Sequence, residues 1–392
     1  MLRDLTAPAV GMGLLAAFVG YAASFAIVLA GLDAAGATPA QAATGLFLAT
    51  LAMGLASIWL PLATRIPAAV AWSTPGAALL AASPALPGGF AEVVGGLVAC
   101  AALLALTGVV PALGRLVAAI PRPVASGLLA GVLLPLCLAP ARALAEVPGL
   151  ALPLVGAWAL GLAWHRLAAM PFAVAAFAAG LVLTVEVPAG ALAGAGLPDI
   201  VPVAPLLTPG ALVSVALPLY LVTMAGQNVP GFAVLELNGY AVDRRRLLRG
   251  TGLASLLAAP FGAIPVNMSA ITAAMMAGED AGPDPARRYW AAVASGAGYV
   301  ALALGAGAVA TLAALAPAAL VTAVAGLALI PALVASLSAA FADPAQREAP
   351  ALTFLVAASG AALLGVGGAV WAVVLGLAVW GLKAAVARRR GG

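Results

Sequence analysis

The sequence predicts an all-α polytopic membrane protein of 14 transmembrane segments, built as a 7+7 inverted repeat with broken half-helices in segments 3 and 10. Three observations carry that expectation. Hydrophobic residues make up 65% of the 392-residue chain and charged residues 8%, against roughly 45–50% and about 25% in soluble domains. The basic residues fall almost entirely on alternate loops. A short motif in the first half returns 196 residues later in the second.

A membrane-spanning helix needs about 20 apolar residues, so a chain of this length and polarity holds many spans and one membrane domain, with no sizeable soluble part. Apolar runs and breaks place the segments near 8–31, 42–62, 67–84, 90–113, 123–140, 148–165, 170–189, 209–235, 247–262, 265–278, 288–314, 318–341, 350–367 and 369–386. The first run is too long for a signal-peptide core and has only Arg3 before it, so it reads as a span. The last two are divided only by Gly365, Gly367 and Gly368. With both termini cytoplasmic, Arg3, Arg65, Arg115, Arg122, Arg166, Arg244–Arg246, Arg249, Arg287, Arg288, Arg347, Lys383 and Arg388–Arg390 all lie inside. Arg142 alone is left outside. One span more or fewer would scramble this pattern downstream.

Segments 3 and 10 read RIPAAVAWSTPGAALLAA and AIPVNMSAITAAMMAG. Each has Ile-Pro, then residues with small hydroxyls or amides, then a short helical run. Ala77–Ala81 correspond to Ala273–Ala277 at a separation of half the chain, which predicts repeats over 1–200 and 205–392. Non-helical backbone at membrane depth is tolerated where it is buried in protein or lines a cavity. After Pro67 the chain is expected to run extended to the midplane, where Ser73 or Thr74 caps an outward half-helix through Gly76. After Pro265, Asn267 or Ser269 caps an inward one. Two N-termini then face each other, with free N–H groups and positive dipole ends that favour an anion. No fixed cation is required.

Segment 8, VTMAGQNVPGFAVLELNGY, carries the amide pair Gln227 and Asn228 at membrane depth, with Pro230 and Gly231 directly after them. Polar side chains there face a cavity or hydrogen-bond a neighbouring helix, and the sequence leaves both roles open. In segment 1, GYAASFA offers Tyr21 and Ser24.

QNVPGFAVLELNGY, PFGAIPVNMSAITAAMMAGED and AWSTPGAALL resemble the benzoate/proton symporter family, over nearly the whole chain. The resemblance implies proton-driven uptake of benzoate or a similar aromatic carboxylate across a bacterial-type inner membrane. It extends to nucleobase and sulfate-permease-type transporters, whose fold implies a core of segments 1–4 and 8–11, about 1–114 and 209–315. The gate then comprises segments 5–7 and 12–14, about 122–190 and 318–388. Related folds often dimerise, so a homodimer is one expectation, although no stripe marks its interface. For a benzoate-sized ligand, the expected donors are Ser73, Thr74, Asn267, Ser269, the adjoining backbone N–H groups including that of Gly76, Gln227 and Asn228. Trp72, Tyr21, Phe232 and Met268 are the candidates for the ring slot, with Ser24 beside them.

Proton coupling departs from the related pattern. Nucleobase transporters are similar in carrying membrane-embedded glutamates near the substrate, where this chain shows Gln227 and Asn267. Glu236 and Asp280, with Glu279, sit at cytoplasmic segment ends and are the coupling candidates. Glu92 lies near the opposite face as an expected solvated carboxylate, and His165, beside Arg166, reads as interfacial. The proton can instead ride on the substrate carboxyl. The same two dipoles would equally serve a passive anion channel or exchanger. An intramembrane enzyme needs a nucleophile with its base, a metal set or paired carboxylates, and one peripheral His with Cys100 and Cys137 supplies none. No cofactor or metal site is expected, and the pI of about 9.5 comes from dispersed charges that mark topology rather than a nucleic-acid surface.

Overall fold

The computed structural model describes residues 4–165, 167–184, 188, 196–363 and 366–391, with side-chain surroundings up to 386. Arg3, Arg166, residues 185–187 and 189 of the predicted segment 170–189, residues 364–365 of the segment 350–367 (Gly365 among them), and the side chains of Arg388, Arg389 and Arg390 therefore lie outside the described residues. The chain is predominantly helical. In order it forms α1 (Ala7–Ala22), α2 (Phe25–Ala34), α3 (Pro39–Thr64), β1 (Val70–Trp72), α4 (Thr74–Ala82), α5 (Gly89–Thr107), α6 (Pro111–Ala118), α7 (Arg122–Cys137), α8 (Ala139–Glu146), α9 (Pro148–Trp164) and α10 (Ala169–Thr184). The second half adds α11 (Leu217–Thr223), α12 (Val229–Leu237), α13 (Arg244–Ala258), β2 (Val266–Met268), α14 (Ala270–Ala277), α15 (Tyr289–Ala303), α16 (Ala306–Leu315), α17 (Ala318–Ala340), α18 (Glu348–Ala358) and α19 (Gly368–Gly391).

Seven helical stretches among the described residues are long and apolar enough to cross a bilayer, and the pair α15–α16, bent by 56°, makes an eighth. Several predicted segments acquire internal structure. The first breaks at Ala23–Ser24 into α1 and α2. The fourth ends at Thr107, and the separate helix α6 that follows carries Arg115. The eighth is a rod, Ala211–Leu237, in which π turns at Ala211–Ala216 and Met224–Asn228 flank α11. The second π turn thus ends on the amide pair itself, just before Pro230 and Gly231.

Small residues let these helices close on one another. A Cβ at Gly31 of α2 would stand 2.5 Å from the Ala77 carbonyl oxygen, so α2 and α4 touch backbone to backbone only because no side chain intervenes. Gly45 and Gly54 of α3 are seated in the same way, against Gly262 and against Val300 with Gly296. Arg288, the most buried of the described arginines, donates to the carbonyls of Ala277 (2.8 Å) and Gly282 (2.7 Å). It closes the C-terminal end of α14, where a cation complements the helix dipole.

Glu92 corrects an expectation. Rather than a solvated end-of-helix carboxylate, it is 4% exposed. It accepts from the Gly88 N–H (2.8 Å) and from the Thr208 hydroxyl, whose oxygen in turn accepts from the Ala211 N–H (2.9 Å). Its carboxylate therefore ties the start of α5 to the start of the 211–237 rod, where the anion also suits two helix N-termini. Glu92→Ala leaves buried donors unpaired, each costing about 1–3 kcal/mol. The expected result is a clear drop in the thermal midpoint of the purified protein, only partly recovered by Glu92→Gln; an unchanged midpoint would remove Glu92 from this tie.

Candidate functional site

The centre of the molecule is a two-stranded ladder. β1 and β2 pair antiparallel with Val70 opposite Met268, Ala71 opposite Asn267 and Trp72 opposite Val266. The ladder is extended at both ends, by the Ser73 N–H to the Pro265 carbonyl (2.8 Å) and the Ser269 N–H to the Ala69 carbonyl (3.0 Å). Each strand is also pinned from the side by a serine. Ser57 of α3 donates to the Val70 carbonyl (3.2 Å), while Ser255 of α13 donates to the Val266 carbonyl (3.2 Å) and accepts from its N–H (2.8 Å). Extended backbone inside a helical bundle is thus satisfied without water.

Each strand runs directly into a short capped helix. Of the alternatives open in the sequence, the caps are Ser73, whose oxygen accepts from the Gly76 N–H (3.1 Å), and Ser269, which accepts from the Thr272 N–H (3.4 Å). The register puts these caps at opposite ends of the ladder. The two amide-rich ends therefore face each other across a length of roughly 13 Å, four residues at about 3.3 Å each. Neither strand, neither short helix nor the 217–237 stretch contains a lysine or arginine.

The predicted site residues divide into scaffold and available groups. Asn228 is scaffold: wholly buried, it accepts from the Met268 N–H (3.0 Å) and donates to the Met224 sulfur (3.4 Å). Asn267 is also buried, and in the amide orientation that satisfies both its ends it donates to the Met268 carbonyl (2.7 Å) and accepts from the Ser73 N–H (2.9 Å). The Ser73 and Thr223 hydroxyls, the latter on α11, are hydrogen-bonded to each other (2.6 Å). Trp72 is buried and donates its indole N–H to Ser24 (2.7 Å), which donates to the Gly20 carbonyl (2.8 Å). Tyr21 leans on the Trp72 ring at 5.4 Å and stacks on Phe25 at 5.9 Å. Trp72 and Ser24 together anchor β1 to the α1–α2 break.

Met268 is buried beside Gly231, where a Cβ would come within 2.8 Å of its own. Phe232 is buried one turn beyond Asn228, with the Arg244 guanidinium 5.8 Å from its ring centre. Gly76 packs under Leu219. Two predicted polar side chains stay half-buried with no partner among the described residues, the Thr74 hydroxyl and the Gln227 amide. They belong together: Gln227 is one turn from Thr223, which touches Ser73, and its neighbour Gly226 lies against Pro75 of α4.

The coupling candidates stand apart from this centre. Glu236 is exposed and ion-paired with Arg244 (2.7 Å), Asp280 and Glu279 are exposed beyond the end of α14, and His165 is exposed at the end of α9. Thr223, Ser57 and Ser255 were missed in the sequence. Their only local sign is a small hydroxyl in an apolar helix, which commonly just bonds back to its own turn.

Comparison with known proteins agrees with this architecture. The chain is similar to the inner membrane protein YdcO of Escherichia coli (strain K12), with 36% identity over 384 residues covering 96% of this chain and 95% of that protein. It is also similar to the benzoate membrane transport protein of Acinetobacter baylyi, with 28% identity over 377 residues and the same two coverages. Among solved structures it shares its fold with the transmembrane domain of a cyanobacterium bicarbonate transporter, BicA, at a TM-score of 0.59 and 16% identity, over 92% of this chain and 98% of that one. The sequence pattern of the benzoate membrane transport protein family matches residues 3–382. A transporter fold with a capped-helix centre and that full-length match lead to one conclusion: this chain belongs to the benzoate membrane transport protein family.

Proposed function

We propose that this transporter imports benzoate or a similar aromatic carboxylate together with protons by alternating access, binding the anion beside the β1–β2 ladder. The observation that carries the reading is the pair of serine-capped helix N-termini facing each other across one strand ladder, with Thr74 and Gln227 free beside them and no cationic side chain. Such amide ends hold an anion by dipole and N–H donation. They hold it without the strong binding of a salt bridge, which suits a ligand that must also leave.

The fourteen-segment, 7+7 reading is part of the proposal, with both termini cytoplasmic. An offset of 196 residues carries β1 onto β2, Ser73 onto Ser269, the start of α7 onto the start of α17, and Pro135 inside α7 onto Pro331 inside α17. An inverted repeat explains why both short helices are entered from an antiparallel pair. In this frame α1–α5 and α11–α16 belong to the core, and α7–α10 and α17–α19 to the gate. Among the described residues no carboxylate stands at the ladder, so the proton is assigned to the substrate carboxyl, which binds as the anion and is protonated within the site before it crosses.

Competition binding on the purified protein tests recognition. Benzoate should displace labelled benzoate at least tenfold better than uncharged benzamide, and sulfate should fail because it offers no ring; equal potency of benzamide would end the anion reading. In proteoliposomes, an imposed pH difference should drive benzoate above equilibrium. Equilibration alone would make the protein a channel.

A further inference from the structure

We infer that the cleft between core and gate stands open along α14 and shut along α4, so that Ile271 and Ala274 line the passage between the ladder and the face toward which α14 leads. The inference rests on the repeat reading above. At the 196-residue offset Pro75 corresponds to Ile271 and Ala78 to Ala274. In a symmetric arrangement each pair would be equally covered, yet Pro75 and Ala78 are buried whereas Ile271 is 65% exposed and Ala274 is exposed too.

The difference lies in what packs on each helix. α4 lies against the gate helix α7 as well as α2 and α11. Pro75 and Leu129 of α7 both close on Gly226, so the first turn of α4 is sealed beneath the gate. α14 packs on α12, α1 and α15, all in the core, while α17, the counterpart of α7, packs on α7, α8 and α2. Ile271 and Ala274 are exposed, and with the half-buried Met275 and Gly278 they recur at helical spacing as one stripe from the Ser269 cap to the end of α14. A separate cavity lies at the far end of α4, around Ala81, Asp33 and Leu136. The buried stretch Ala77–Leu80 separates it from the Ser73 cap. A stripe of Ile, Ala and Met gives an aromatic ring an apolar track with no charge to hold it back.

Single cysteines at these positions, in a Cys137→Ala background that leaves only the buried Cys100, test the inference. A membrane-impermeant maleimide is applied to inside-out and right-side-out vesicles holding Ile271→Cys, Ala274→Cys or Ala78→Cys. Ile271→Cys and Ala274→Cys should react at least tenfold faster from the cytoplasmic face, and Ala78→Cys from neither. No reaction of the first two from either face would make the stripe lipid-facing and overturn the inference, as would faster reaction from outside or equal reaction of Ala78→Cys. Labelling needs no substrate. Loss of benzoate uptake with the asymmetry intact would therefore count against the substrate reading alone.

Discussion

Asn228→Ala is expected to lower benzoate affinity by about 10- to 100-fold and to destabilise the protein. Asn228 holds strand β2 by accepting from the Met268 N–H at 3.0 Å, and its own nitrogen is turned to Met224. Alanine would leave the Met268 N–H orphaned at a fully buried position, a cost of about 1–3 kcal/mol. At bilayer depth no bulk water replaces the lost acceptor. The strand can recover only by shifting, which moves the Ser269 cap immediately after it. The two effects should therefore appear together, in the thermal midpoint and in equilibrium binding of labelled benzoate. Asn228→Gln, which keeps the amide but lengthens the side chain into the space beside Gly231, should rescue little. Wild-type affinity in Asn228→Ala would show that the position of β2 does not matter to the site.

That pairing of Asn228 with Met268 also marks the limit of what could be read from the sequence. The short helices were legible because capping is local: a serine three residues before the amide it accepts from is visible in any window, as at Ser73 with Gly76 and Ser269 with Thr272. The 196-residue offset was legible because it survives even where residue types drift, and it lays the Ser73 cap on the Ser269 cap. The polar role of Asn228 was legible too, but not its direction, since glue and ligand contact need the same side chain. What stayed hidden were bonds between distant segments. Ser73 meets Thr223 across 150 positions and Glu92 meets Thr208 across 116, and neither pair leaves a local trace. Trp72 illustrates the cost of this. An indole beside a break reads as a slot for a ring, and its bond to Ser24, 48 residues earlier, shows in no local window.

Gln227→Glu is the sharper test of where the anion lies. Gln227 is half-buried, carries no hydrogen bond to the described residues and stands one turn from Thr223, beside the first turn of α4. If the benzoate carboxylate rests there, an ionised glutamate about 4 Å away opposes it by about 4 kcal/mol at an effective dielectric constant near 20. That is a loss of affinity of several hundredfold or more, by far the largest expected of any single change at the site. Gln227→Ala removes only a hydrogen bond to the carboxylate, about 1.5–3 kcal/mol, and should weaken binding by roughly 10- to 100-fold. The gap between the two variants isolates charge from shape. The sign with pH follows directly: the ordinary glutamate range is near 4.3, so lowering the pH toward it neutralises the introduced side chain and should narrow the gap, whereas raising the pH should hold it wide. A small, pH-independent loss shared by both variants would place the carboxylate away from Gln227. Anion recognition would then fall to Thr74 and the backbone amides of the two short helices.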